Sequence, residues 1–137
     1  MPARPQRPRP AAAALSLSVG RGRTAVRLTL HRQGRDYVLL VAGGEAHVGA
    51  VALDCPRGGA RGESWRALHV APAHREGPLA TAGAATVAAA TGRACVAIAG
   101  IHLDGATPAQ IATLVRNVHT GYARLAARLG AAEKESR

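Results

Sequence analysis

Apolar and polar residues alternate along the first half of the chain and shift to a helical period in the second. LSLSV, within 14–19, puts Leu and Val on one side and Ser on the other, which predicts a half-buried strand. Over 24–31, Val26, Leu28 and Leu30 share one side while Arg27, Thr29 and His31 share the other. A Gly-containing turn at 33–36 leads into the β-branched run YVLLVA at 37–42, so these two stretches read as a hairpin. Gly43, Gly44 and Glu45 make the next turn, AHVGAVAL (46–53) the next strand and SWRALHV (64–70) another, with CPRGGARGE between them as a loop. In the last strand Trp65, Ala67 and His69 face away from Arg66, Leu68 and Val70. A meander is expected.

Beyond Pro72 the period changes. Pro78 suits the first turn of a helix over 79–90, where its missing N–H has no partner to lose, and Thr91-Gly92 supplies a left-handed terminator. This helix has little but Leu79, Val87 and alanines to bury, which suits close seating on a sheet. An apolar strand at 94–99 follows, then a turn holding His102 and Asp104. Thr107-Pro108-Ala109-Gln110 has the capping-box arrangement of a hydroxyl N-cap, a Pro at N1 and a Gln at N3. Ile111, Leu114, Val115, Val118, Tyr122, Leu125 and Leu129 then form one stripe, ending near Gly130. These elements predict an α+β fold, an antiparallel sheet of about five to six strands with two helices packed on one face. It occupies 14–130 as a single domain, between a disordered Arg/Pro-rich leader at 1–13 and a flexible tail at 131–137.

Composition restricts the core and the partners. Hydrophobic residues are 47% of the chain, but Ala supplies much of this, Phe is absent, and Trp65, Tyr37 and Tyr122 are the only aromatics. Each element therefore buries little area, a shortage that a dimer sharing core surface would relieve. The net charge of +10 suggests nucleic acid until it is located. Eight arginines and no acid fall within 1–35, and from Asp36 onward ten basic residues face eight acidic ones, so the folded part is nearly neutral. With no aromatics interleaved for base stacking, the basic leader reads as a solvated tail and no specific nucleic-acid partner is expected.

Cys55 and Cys95 form neither a CxxC pair nor a zinc cluster, and Cys95 sits in an apolar run, which fits a reducing cytoplasm. Every apolar stretch is broken before it could span a membrane. The Ala-rich run at 11–17 is too short for an export signal.

Candidate chemistry centres on histidine beside carboxylate. His102 and Asp104, and likewise His74 and Glu76, stand two apart, and each pair could share a proton or a metal. Two ligands fall short of the three that a metal needs, so no metal site is assigned. No residue is assigned as catalytic either. Such pairs also serve merely to satisfy loop backbone, and His47 reads most simply as a core or edge histidine on the strand face of Gly49, Val51 and Leu53. Gly49 and Gly100 permit close backbone approach. Ser64 lacks a nucleophile-elbow pattern, and neither GxxxxGK nor GxGxxG occurs. A phosphate is best placed at a helix N-terminus, with Arg75 beside the first, an anchor that suits a mononucleotide.

Three segments, HVGAVA (47–52), PAHRE (72–76) and AGIHLDGAT (99–107), together resemble the bacterial LpdD-like prenylated-flavin chaperones, a family associated with UbiD-type decarboxylases and related in fold to proteasome assembly chaperones. The resemblance spans roughly Thr24 to Leu129, with AGIHLDGAT its most specific part. It implies a homodimer that binds prenylated FMN, or FMN itself, as cargo for a UbiD-type decarboxylase, with a flavin prenyltransferase as a further partner. It carries over His74, Arg75, Glu76, His102 and Asp104 as motif residues and His47 and Gly100 as lesser members. Two other readings stay open: a small His/carboxylate enzyme, with or without a metal, and a ligand-free assembly factor of the proteasome-chaperone type.

Overall fold

A computed structural model describes residues 15–56 and 62–135 of the chain. The expected leader, the middle of the CPRGGARGE loop and the last two residues of the expected tail lie outside the described residues. The elements run β1 (Leu15–Val19), a 3-10 turn (Gly22–Thr24), β2 (Val26–Gln33), β3 (Asp36–Gly44), β4 (Ala50–Cys55), β5 (Trp65–Val70), α1 (Gly77–Thr91), β6 (Cys95–His102) and α2 (Pro108–Glu135).

The class is α+β, and the six strands form one sheet in the order β1-β2-β3-β6-β4-β5. The expected hairpin forms, with Leu30 opposite Leu39 and Gln33 opposite Asp36. The meander does not continue. β6 enters between β3 and β4, parallel to the first and antiparallel to the second, so the sheet is mixed. The reason lies in side-chain character. β6 is apolar on both faces, Cys95, Ala97 and Ala99 on one and Val96 and Ile98 on the other, and such a strand gains most at the centre of a sheet. β5, with all six residues exposed, is left at the edge.

Both helices cover the same face. α1 lies over β4 and β6, and α2 lies over β1 and β2 and against α1. Ala80, Ala84, Val87 and Ala88 are the buried side of α1, so the helix sits close on the sheet. The Tyr122 hydroxyl of α2 donates to the Leu79 carbonyl at 2.7 Å, which satisfies a buried polar group and pins one helix to the other. α2 continues through Gly130 to Glu135, past the end expected from the sequence. Gly130 does not take the left-handed conformation that would stop it, and the alanines after it favour helix.

The other sheet face carries no element among the described residues. Its middle is apolar: by register Val38 lies beside Val96, Leu40 beside Ile98, and Leu53 between Val96 and Ala67. Leu40 and Trp65 are well exposed there.

Candidate functional site

The site is built where β3 and β6 end together. Gly44 pairs with His102, and the Glu45 N–H donates to the His102 carbonyl at 2.8 Å. The chain then arcs over the end of β6 until the Gly49 N–H donates to the Ala99 carbonyl at 2.9 Å, and β4 begins. Residues 46–49 are thus a crossing loop, not the start of a strand as the sequence pattern suggests. The arc lies so close that a Cβ on Gly100 would fall on the His47 carbonyl.

The arc aims His47 at the start of α1. Its Nε2 stands 3.1 Å from Glu76 Oε1 and its Nδ1 3.2 Å from the Glu45 carbonyl. A carbonyl oxygen only accepts, so Nδ1 carries a hydrogen. Nε2 is then the ring nitrogen turned to the Glu76 carboxylate. The Glu76 carboxylate is buried and also accepts the Arg75 N–H at 3.0 Å. His74, which the sequence spacing pairs with Glu76, instead donates from Nδ1 to the Pro72 carbonyl at 2.7 Å. The turn around Ala73, which holds a left-handed conformation (φ 62°), swings it away from Glu76. The His47 and His74 rings nevertheless lie 5.0 Å apart, and His102 is 6.5 Å from His47.

The His102–Asp104 pair forms as the spacing suggests, with Nε2 2.7 Å from Oδ1. Arg23 donates to the Asp104 carbonyl and holds the turn from outside. The capping box after it is complete: Thr107 N–H donates to Gln110 Oε1 at 3.0 Å and Gln110 N–H to Thr107 Oγ1 at 3.1 Å.

Between these groups opens a cleft of about 620 Å³, of the size that takes small molecules. His47, His74, Arg75, Glu76 and His102 line it, so the two halves of the expected site meet. Gly100 lies beneath His47, and Asp104 stands behind His102. The remaining wall is apolar. Ile111 and Val115, at the start of the α2 stripe, leave the core at 52% and 38% exposure and face the cleft with Leu79 and Leu103. No Tyr or Trp lines it, since Tyr37 and Tyr122 are buried in the core and Trp65 is on β5. Any flat ligand must rest on imidazole rings and branched aliphatic side chains.

Sequence reasoning missed Glu45, which lines the cleft and stands within reach of His102 and Asp104. The signal was a carboxylate directly after Gly43-Gly44, but nothing local shows that this turn ends beside His102. His31, His69 and His119 lie away from the cleft, His31 on β2, His69 on β5 and His119 edge-on to Tyr122 in α2.

The described residues thus build a mixed sheet covered on one face by two helices, with a polar-rimmed, apolar-walled cleft beyond its central strands, an α+β class of protein. Residues 20–130 match the family described as the prenylated flavin chaperone LpdD-like domain, and the chain belongs to that family. Among solved structures, a chain from "Crystal Structure of a Novel Chaperone Complex for Yeast 20S Proteasome Assembly" is similar at a TM-score of 0.56 and 16% identity, over 85% of this chain and 96% of that one. At that identity the likeness is one of fold. No match was found among curated proteins. Among the described residues no helix is long and apolar enough to cross a membrane.

Proposed function

We propose that the protein is a non-enzymatic carrier of prenylated FMN that holds the cofactor in this cleft and passes it to a UbiD-type decarboxylase, receiving it from a flavin prenyltransferase in a bacterial cytoplasm. The observation that carries the reading is the meeting of the His74-Arg75-Glu76 and His102-Asp104 segments around one cleft with an apolar far wall. A modified flavin has this polarity, with a phosphate and hydroxylated chain at one end and an apolar ring system at the other. In the proposed fit Arg75 and His74 meet the anionic end, and Leu79, Ile111 and Val115 pack on the rings. Gly49 and Gly100 provide the close backbone approaches that set His47 and Glu76 in the cleft.

Calorimetric titration of the full chain with FMN and with prenylated FMN tests this. Saturable binding of the prenylated form is expected, with each of Arg75→Ala and His74→Ala weakening it by about tenfold, roughly 1.4 kcal/mol. Absence of binding by both flavins, or binding indifferent to both substitutions, would rule the carrier reading out.

The carrier is proposed to be a homodimer joined through the open sheet face. Six strands at ~4.8 Å spacing and about six residues of length give on the order of 600 Å² of plane and more of accessible surface, near the ~800 Å² per partner of a standard interface. The patch is apolar and uncharged at its centre, so a second copy matches it across a two-fold axis. Sheet-on-sheet packing would give a four-layer dimer. It would also enlarge a core limited by alanine.

A further inference from the structure

We infer that Glu45, His102 and Asp104 form a binding site for a divalent transition-metal ion of the Mn²⁺ or Zn²⁺ kind at the rim of the cleft. One ligand atom from each lies within 4.8 Å of the others. Ligands held about 2.0–2.3 Å from an ion are at most roughly 4.6 Å apart, so the set closes on a cation by a shift of a few tenths of an ångström in exposed side chains.

The backbone beneath these side chains is fixed. Glu45 and His102 stand on adjacent parallel strand ends, joined by the Glu45 N–H to His102 carbonyl hydrogen bond at 2.8 Å. Gly44, at φ 58°, makes the turn that sends Glu45 over His102, and a Cβ there would fall on the His102 carbonyl. Asp104 is held by Arg23 through its carbonyl, and its carboxylate is hydrogen-bonded to His102, with Nε2 2.7 Å from Oδ1, a contact that an ion bound to both would replace. Three ligands on a rigid backbone are a preorganised set.

The donors select the class of ion. Two carboxylates and one imidazole suit borderline ions such as Mn²⁺ and Zn²⁺, whereas Mg²⁺ favours oxygen alone and retains most of its water. Three protein ligands leave coordination positions for water or for a ligand oxygen.

Glu45 and Asp104 bring two carboxylates to the rim, with Arg75 on the wall and Arg23 bound to the Asp104 carbonyl. The start of α2, a usual backbone seat for an anion, is already taken by the Thr107–Gln110 box. An ion at Glu45, His102 and Asp104 adds positive charge to the cleft that Arg75 and His74 also line. That last consequence, a seat for a phosphate, rests on the carrier reading; the ion site does not.

The test is titration of the chelator-treated full chain with Mn²⁺, followed by the electron paramagnetic resonance signal of unbound Mn²⁺, and with Zn²⁺ by calorimetry. One ion per chain is expected, with affinity falling at least tenfold in each of Glu45→Gln, His102→Ala and Asp104→Asn and unchanged in His69→Ala. All four side chains are exposed, so the variants fold. No uptake at millimolar Mn²⁺ and Zn²⁺, or uptake that survives both Glu45→Gln and His102→Ala, overturns the site. Repeating the flavin titrations with and without Mn²⁺ separates the two readings. Metal uptake with no flavin bound in either condition would end the carrier reading and leave the ion site standing. Flavin binding with no metal uptake would end the ion site.

Discussion

The carboxylate of Glu76 stands 2.5 Å from where a Cβ on residue 49 would lie. Residue 49 is therefore held to glycine by a side chain 27 positions further on, and the His47–Glu76 hydrogen bond exists because of that vacancy. Gly49→Ala is expected to displace Glu76, break its contact with His47 and destabilise the fold by about 1–3 kcal/mol, the range for a buried polar group that loses its partner. The denaturant midpoint reads this directly. In a Glu76→Ala background the same change should have much less effect, and a double-mutant cycle showing additive energies would refute the coupling.

Gly100 makes a second exclusion of the same kind, against the His47 carbonyl. Here the obstacle is backbone, which gives less readily than a carboxylate. Gly100→Ala should therefore lift the whole 46–49 arc, weaken flavin binding by more than His74→Ala does, and speed amide exchange at Gly49, whose N–H bonds the Ala99 carbonyl. Unchanged exchange at Gly49 would show that the arc does not rest on Gly100.

The open sheet face gives a prediction about mass. Leu40 is 37% exposed and sits among Val38, Val96 and Ile98 by register. Leu40→Arg puts a charge into the proposed interface and leaves the helix-covered core untouched. Sedimentation should show a dimer for the native chain and a monomer for the variant, with far-ultraviolet dichroism unaltered. A native chain that stays monomeric at tens of micromolar excludes this interface.

Local pattern carried the elements, and long-range pairing carried what the sequence concealed. The alternation of Val26, Leu28 and Leu30, the Thr107–Gln110 box and the α2 stripe are local, and the structure agrees with each, apart from Ile111 and Val115 of the stripe, which face the cleft. The insertion of β6 beside β3 is decided by competition among strands for the central position, which no window of sequence contains. The same holds at the site. His102–Asp104 was legible because two residues in one turn meet whatever the topology. His47–Glu76 was not, because it joins residues 29 apart across the arc over Gly100. The regular spacing of Gly49, Val51 and Leu53 with His47 imitated a strand, and the real chain departs from one where it crosses β6. Glu45 was invisible for the same reason, since its nearness to His102 follows from β3 and β6 being parallel and ending together.

Cys95 provides a test of the core that is independent of the cleft. It is fully buried in β6, and burial pushes its thiol up to about 12, a rise opposed by the Leu39 backbone hydrogen bond and reinforced by the Asp54 carboxylate. Asp54 is itself buried and paired with Arg66 at 3.1 Å. Near neutral pH the thiol is protonated and shielded, so alkylating reagents should modify half-buried Cys55 well before Cys95 in the native protein. In the unfolded chain the Cys95 thiol ionises near its ordinary value of 9.0, while in the fold it keeps its proton to about 12. Between those values the folded state binds more protons than the unfolded one, so stability falls as pH rises, by at most about 1.4 kcal/mol per pH unit from this group. Burial also raises the Tyr122 hydroxyl, which adds a decline of the same sign at the alkaline end of the window. Denaturant midpoints measured from pH 8 to 10.5 should therefore fall more steeply for the native chain than for Cys95→Ala, whose lower absolute stability does not affect the comparison of slopes. Parallel slopes would mean that the thiol does not keep its proton in the fold and that β6 is open to solvent at Cys95.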